Sequence, residues 1–428
     1  LNVEWSQTSL GALKERGVAS IQTGPFGTVL KAAEYSELGV PVVSVGEIRY
    51  GNIEIHDRTP KVNEDTKRRL PQFVLEEGDI VFGRKGGIDR NALVSSNESG
   101  WFLGSDGIRL RLSHEVNSTF VSYQFRSPTV GKWLLGNSAG SIMPSLNEDV
   151  LRRLPLRLPK LAMQKRIASV LSSLDAKIDL NNRINAELEA LAKTIYDYWF
   201  VQFDFPDANG RPYKSSGGKM VWNDVLKREI PAGWDVGSLT DIGTIVGGST
   251  PSTSDPANFS NGMIPWITPK DLSDNRDKKF IERGGTDISE VGKRSASLKL
   301  YPGGTVLMSS RAPVGYLAVA LNPVTTNQGF KSFMPDKGYG TSFIYYTLAR
   351  VMPSIIKQAS GSTFVEISGG VLKAIPAVLP PAGKANEFCA ALESIIGRQK
   401  YAEAENRELT RLRDWLLPLL MNGQVRVA

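Results

Sequence analysis

The feature that most constrains this chain is that it is one unit written twice. Trp5, Leu10 and Leu13 align with Trp234, Leu239 and Ile242 at an offset of 229 residues. Gly107, in Ser105-Asp106-Gly107-Ile108-Arg109, aligns with Gly329, in Asn327-Gln328-Gly329-Phe330-Lys331, at an offset of 222. At 221, Ser138-Ala139-Gly140-Ser141 meets Ala359-Ser360-Gly361-Ser362, and Pro155 and Pro159 meet Pro376 and Pro380. A drift of eight residues is what small loop insertions produce in two diverged copies. The period is far too long for a solenoid repeat, so each copy is a domain with its own attachment. A length of 428 residues, more than one hydrophobic core usually serves, agrees with that division.

Each copy changes character at its paired prolines. Before them lie short apolar runs bounded by Gly, Pro, Asn and Asp, among them Val40 to Ile48, Asp79 to Phe82, Gly304 to Met308 and Leu317 to Leu321. These predict short strands in an irregular α/β domain. After the prolines, Ile167, Leu171, Leu174, Ile178, Asn181, Asn185, Leu188, Ala192, Ile195 and Trp199 alternate at spacings of four and three, the signature of a coiled-coil seam. The second copy supplies Phe388, Leu392, Ile395, Gln399, Ala402, Asn406, Leu409, Arg413, Leu416 and Leu420 at identical spacing. Arg413 suits a seam poorly, and Leu412 beside it offers a replacement; Pro418 should end or kink this helix. Asn185 and Asn406 occupy corresponding positions, where they either form a buried polar pair that fixes register or sit at wet helix edges. The expected fold class is α+β, with a first domain over 1–155, a long helix over 156–203, a Pro/Gly/Ser-rich connector over 204–231, a second domain over 232–376 and a second long helix with its tail over 377–428.

Composition removes several kinds of chemistry. One cysteine, Cys389, and two histidines, His56 and His114, leave no disulfide framework and no Cys/His zinc site, and they point to the reducing cytoplasm. No 18-residue apolar run and no basic-then-apolar N-terminal signal occur, so no membrane association is expected; Leu1 in place of Met suggests a trimmed or unusually initiated chain. Gly218-Lys219, Gly292-Lys293 and Gly383-Lys384 all lack the upstream Gly and following hydroxyl of a phosphate-cradling loop. No dinucleotide fingerprint, adenine-methylation run or metal-nuclease carboxylate set is found, and Asp207-Ala208-Asn209-Gly210 reads as a turn and not a calcium loop. The expectation is no catalytic residue and no metal site. A net charge of +7 and a pI near 9.2 lean toward a polyanionic partner.

Several segments carry a family resemblance. They are the junction Leu154-Pro155-Leu156-Arg157-Leu158-Pro159 leading into Gln164-Lys165-Arg166-Ile167-Ala168, the helix end Tyr196-Asp197-Tyr198-Trp199-Phe200-Val201-Gln202-Phe203-Asp204, and the C-terminal Leu416-Leu417-Pro418-Leu419-Leu420-Met421-Asn422-Gly423. Gly247-Gly248-Ser249-Thr250-Pro251-Ser252, Ile264-Pro265-Trp266-Ile267 and Gln328-Gly329 add to them. Over essentially its whole length the chain resembles the specificity subunit of type I restriction-modification enzymes. The second junction, Pro380-Pro381-Ala382-Gly383-Lys384, departs from the first by lacking Gln-Lys-Arg. The resemblance implies two target-recognition domains separated by two long helices packed as an antiparallel coiled coil. Each domain would read one half of a split, asymmetric double-stranded DNA target, with an unread spacer of roughly five to eight base pairs. It also implies two methyltransferase subunits and two restriction subunits as partners, with S-adenosylmethionine, ATP and Mg bound on those partners and none on this chain. Two other readings stay open on the residues alone: an enzyme with unrecognised motifs, and a scaffold that binds only protein.

Reading base edges requires Arg or Lys for guanine and Asn or Gln for adenine, with cations and amides on the phosphates. Loop residues of those types in the first domain are Lys31, Arg49, Tyr50, Lys67, Arg68, Arg84, Lys85 and Arg90. In the second they are Thr250, Lys270, Arg276, Lys278, Lys279, Arg294, Arg311 and Gln328. Each of them, taken singly, reads first as an ordinary solvated side chain and only then as a contact. The turns Gly24-Pro25-Phe26-Gly27 and Gly247 to Pro251 could bring backbone close to a phosphate.

Overall fold

A computed structural model of the chain describes residues 5–138, 144–276, 278–359, 366–425 and 427. It forms two compact units, Leu1–Ile178 with Arg407–Ala428, and Asp179–Asn406. The Gly-Ser landmark shared by the two copies falls largely outside the described residues.

In the first unit the strand Ser6–Ser9 pairs antiparallel with Pro155–Leu158, Ser9 opposite Pro155. A four-stranded sheet follows in the order Ala19–Thr23, Gly107–Leu112, Ile80–Gly83, Asn91–Leu93. A second sheet runs Tyr35–Ser36, Lys61–Val62, Val40–Val43, Phe102–Leu103, its last pair parallel. Side chains alternate across a strand, so Ile80 and Phe82 enter one apolar core while Val81 enters another.

The second unit repeats this plan. Asp235–Ser238 pairs with Pro376–Leu379, Ser238 opposite Pro376. Its larger sheet has the order Thr244–Val246, Ser332–Met334, Val306–Met308, Leu317–Ala320, with Phe280–Ile281 added at the edge. Val306 and Met308 face one core and Leu307 another, the alternation of the first copy. The smaller sheet again contains a parallel pair, Trp266 and Ile267 beside Thr325 and Thr326.

The first long helix is Leu161–Tyr196, closed by a wide turn of π type over Asp197–Val201; the second region is Ala382–Ala391 followed by Glu393–Met421. Both begin later than expected, because the residues between the paired prolines form the junction strands. Pro418 neither ends nor breaks the second helix, which carries on to Met421. Along the first helix Ile167, Leu171, Asn181, Ala192 and Trp199 are buried, and Leu174, Ile178, Asn185, Leu188 and Ile195 are half-buried. Along the second, Phe388, Leu392, Gln399, Ala402, Asn406 and Leu420 are buried, while Ile395, Leu409, Arg413 and Leu416 are half-buried. Leu412 does not replace Arg413: it is exposed, and Arg413 stays on the seam by pairing with Asp175 at 2.9 Å.

Asn406 pairs elsewhere than expected. Its carbonyl accepts from Asn181 Nδ2 at 2.9 Å and its amide donates to Asn182 Oδ1 at 2.8 Å, whereas Asn185 gives only its backbone carbonyl, to Gln399. Antiparallel helices bring together residues whose numbers run in opposite directions, so the equivalent seam positions 185 and 406 need not meet. Gln399 also bonds Glu189, which fixes the antiparallel sense in this unit.

The stretch 204–231, expected as the connector, is docked on the second unit. Phe203, Phe205 and Ile230 are buried in the second unit's core, Phe205 stacks on Trp234 at 4.9 Å, and Met220–Asn223 forms a hairpin with Arg228–Pro231. Its prolines and glycines make turns, while its aromatic side chains supply apolar area that favours docking. The helix end contributes as well: Tyr196, Trp199 and Phe200 pack with Phe343 and Phe388. In the first unit Leu417, Leu420 and Met421 play the matching part against a core that includes Leu10 and Phe120.

Candidate nucleic-acid interface

Both domains build a similar cradle just after the strands Ala19–Thr23 and Thr244–Val246. In the first, Gly24 N–H donates to Gly107 O at 3.0 Å, and a Cβ added at Gly24 would lie 1.8 Å from the Gly104 carbonyl oxygen. In the second, Ser249 N–H donates to Thr326 O at 3.0 Å, and a Cβ at Gly248 would lie 1.9 Å from that same carbonyl oxygen. Only glycine admits so close a backbone approach.

The opposite wall is repeated too. Arg84 N–H donates to Asp106 O and Leu146 N–H to Arg84 O; in the second copy Ser310 N–H donates to Gly329 O and Ile367 N–H to Ser310 O. The backbone of Lys85 forms an isolated antiparallel β-bridge with Ser145, as that of Arg311 does with Glu366. Two cations chosen separately in the sequence thus take equivalent positions.

The side chains on these walls differ. In the first cradle the Arg84 guanidinium lies 4.1 Å from the centroid of Phe26, a half-exposed ring, and Lys85 is exposed. In the second, Thr250 donates its hydroxyl to Gln328 Oε1, and both residues are exposed. The loop carrying Thr250 is held from behind by Trp266 Nε1 donating to Ser249 O at 3.1 Å and by the Tyr301 hydroxyl donating to Gly247 O. Burial raises the Tyr301 pKa and keeps that donor protonated. Phe26 was not among the residues singled out for DNA; an aromatic residue next to a tight Gly-Pro turn was the available signal.

Other chosen residues are dispersed. Arg90 is half-buried near the first cradle, and Tyr50 donates to Asp89, a bond that raises its pKa. Arg49 pairs with Glu54 at 2.7 Å, Lys67 with Glu64 at 2.9 Å, and Arg68 with Asp65, in ordinary surface pairs. Lys31 and Arg294 are exposed on short helical turns, Lys270 pairs with Asp274 at 2.7 Å, and Arg276 donates to the Tyr316 hydroxyl. Lys278 is exposed.

Lys279, expected on a solvent-facing loop, is buried. Its side chain is 5% exposed and contacts Glu189 Oε2 at 2.5 Å, Gln399 Oε1 at 3.0 Å and the Tyr346 hydroxyl, while Glu403 accepts the backbone N–H groups of Lys279 and Phe280. It ties the sheet edge to both long helices. Burial outweighs the neighbouring carboxylates and depresses its pKa. Among the described residues, no group of three or more His, Cys, Asp or Glu side chains could hold a metal ion, and no helix is long and apolar enough to cross a membrane.

A family profile for the type I restriction modification DNA specificity domain matches residues 16–190 and again 231–411. The chain is 43% identical over 168 residues to the type I restriction enzyme MjaIX specificity subunit of Methanocaldococcus jannaschii, a match spanning 38% of each chain. It is 27% identical to the HindI specificity subunit of Haemophilus influenzae over 68% of this chain and 73% of that one. A crystal structure of the S subunit from M. genitalium shares the fold at a TM-score of 0.59, with 14% identity, over 98% of this chain and 96% of that chain.

Proposed function

The chain belongs to the type I restriction modification DNA specificity family, and from that premise we propose that it reads a bipartite, asymmetric DNA target, one half-site per domain. It is the recognition subunit and not the catalytic one. Two methyltransferase subunits and, in the full complex, two restriction subunits assemble on it and bring S-adenosylmethionine, ATP and Mg with them. The paired long helices set the number of unread base pairs between the half-sites.

The observation that supports this best is the cradle built twice on one backbone plan with unlike side chains. A shared plan gives both domains the same way of approaching a duplex. Different groups on the walls, Phe26, Arg84 and Lys85 against Thr250, Arg311 and Gln328, give each its own sequence preference. Methylome sequencing of a host with and without this gene tests the reading. The expected outcome is an adenine-methylated motif with two unlike half-sites that vanishes with the gene. Methylation that does not depend on the gene, or a symmetric uninterrupted motif, overturns it.

A further inference from the structure

Gln328 is an exposed candidate whose turn and side chain are both held by the fold. Its turn is fixed on both sides: Asn327 N–H donates to Ile267 O at 3.0 Å, Gly329 N–H to Asn327 Oδ1 at 2.9 Å, and Ser310 N–H to Gly329 O at 2.8 Å. The Thr250 hydroxyl then aims its proton at Oε1, and the Thr250 loop is itself anchored through Trp266 and Tyr301. An exposed side chain ordered before binding loses less entropy when it binds. The donated proton also favours one amide orientation, in which both Nε2 hydrogens and the second Oε1 lone pair remain for a ligand.

Resting on the DNA-reading function proposed above, we infer that Gln328 is a specificity-determining residue that reads an adenine in the second domain's half-site, with Thr250 as its positioning residue. Adenine offers N7 as acceptor and N6–H as donor on its major-groove edge, the complement of one Nε2–H and one Oε1 lone pair. Guanine offers two acceptors, and its O6 would face Oε1 lone pair to lone pair. In the first domain the position aligned with Gln328 is Asp106, whose ionised carboxylate only accepts, so the two cradles present different groups at this point.

The test measures methylation rates of the assembled methyltransferase complex on duplexes carrying each single base-pair change in the target, with wild-type chain, Gln328→Ala and Thr250→Val. The wild-type complex should discriminate at every read position of both half-sites; if it methylates without regard to sequence, the proposed function fails before the inference is reached. With Gln328→Ala, discrimination should fall about 5- to 150-fold at one A·T position of one half-site and nowhere else. Thr250→Val should relax that same position by a smaller factor, and it decides the matter if Gln328→Ala yields no soluble complex. Unchanged discrimination in both variants, or relaxation at a G·C position, overturns the inference.

Discussion

The two halves of the molecule fasten their domains to the long helices with clusters of opposite sign. In the first unit Asp175, on the helix, accepts from the Tyr123 hydroxyl at 2.6 Å, from Arg126 at 3.0 Å and from Arg413 at 2.9 Å. Burial works to raise the Asp175 carboxyl, but the hydrogen bonds from Tyr123 and Arg413 and the charge of Arg126 outweigh it and hold it below the ordinary range. In the second unit the buried charge is a cation from the domain, Lys279, and the helices supply Glu189 and Gln399. Here burial wins and the pKa of the charged group moves against its charged form. A polar clamp needs only complete pairing, so its chemistry was free to invert between copies. The glycines of the cradles were not, because no side chain fits 1.8–1.9 Å from a carbonyl oxygen.

Three measurements test this contrast, and the largest expected effect concerns the buried cation. Lys279→Ala should cost about 3 kcal/mol of the second unit's stability, the low end for breaking a buried pair because Glu189 keeps some solvent. Arg413→Ala should cost about 1.5 kcal/mol in the first unit, as for a charged hydrogen bond nearer the surface. Denaturant unfolding of the full chain measures both, and equal losses would mean that burial does not distinguish the clamps.

Next come the cradle glycines. Gly24→Ala and Gly248→Ala should each cost about 1–3 kcal/mol by overpacking. More tellingly, each should remove discrimination in its own half-site only, so that scrambling that half no longer weakens binding by the methyltransferase complex. Loss of discrimination in both halves from either substitution would contradict two independent cradles.

The smallest effect is one of pH. Because the Asp175 carboxyl has a folded pKa below its unfolded value of about 3.9, it stabilises the first unit fully above that value and loses this contribution as pH falls through the folded pKa. Asp175→Asn should therefore be about 1 kcal/mol less stable than wild type at pH 7, and the gap should close below about pH 4. A gap that persists undiminished in acid would assign the loss to packing and not to charge.

Much of the architecture was legible because it rests on periodicity. The repeat gave the domain count, and the four-three spacing gave seams whose residues are buried or half-buried along both helices. That segment 204–231 packs on the second unit was not legible, because turn-forming residues outnumber the aromatic side chains that dock it, and composition does not weigh one Phe205–Trp234 stack against several glycines. Lys279 misled for a related reason: a lysine in the run Lys278-Lys279 looks like its neighbour in sequence, although one is exposed and the other buried. Arg311 and Lys85 could be chosen as cations, but their equivalence depends on bridges to Glu366 and Ser145, far away in the chain.

What is local or periodic could be read along the chain: two copies, short strands before paired prolines, amphipathic helices after them, and a lack of familiar catalytic motifs. These follow from side-chain spacing and backbone preference, which act over a few residues. Only the tertiary structure decided which polar groups meet. Asn406 faces Asn181 and Asn182, Asp175 gathers Arg413, and Thr250 orients Gln328, each through a contact between residues at least 78 positions apart. Such pairs depend on the antiparallel sense of two helices and the approach of two loops across a glycine, and neither is encoded at any single position.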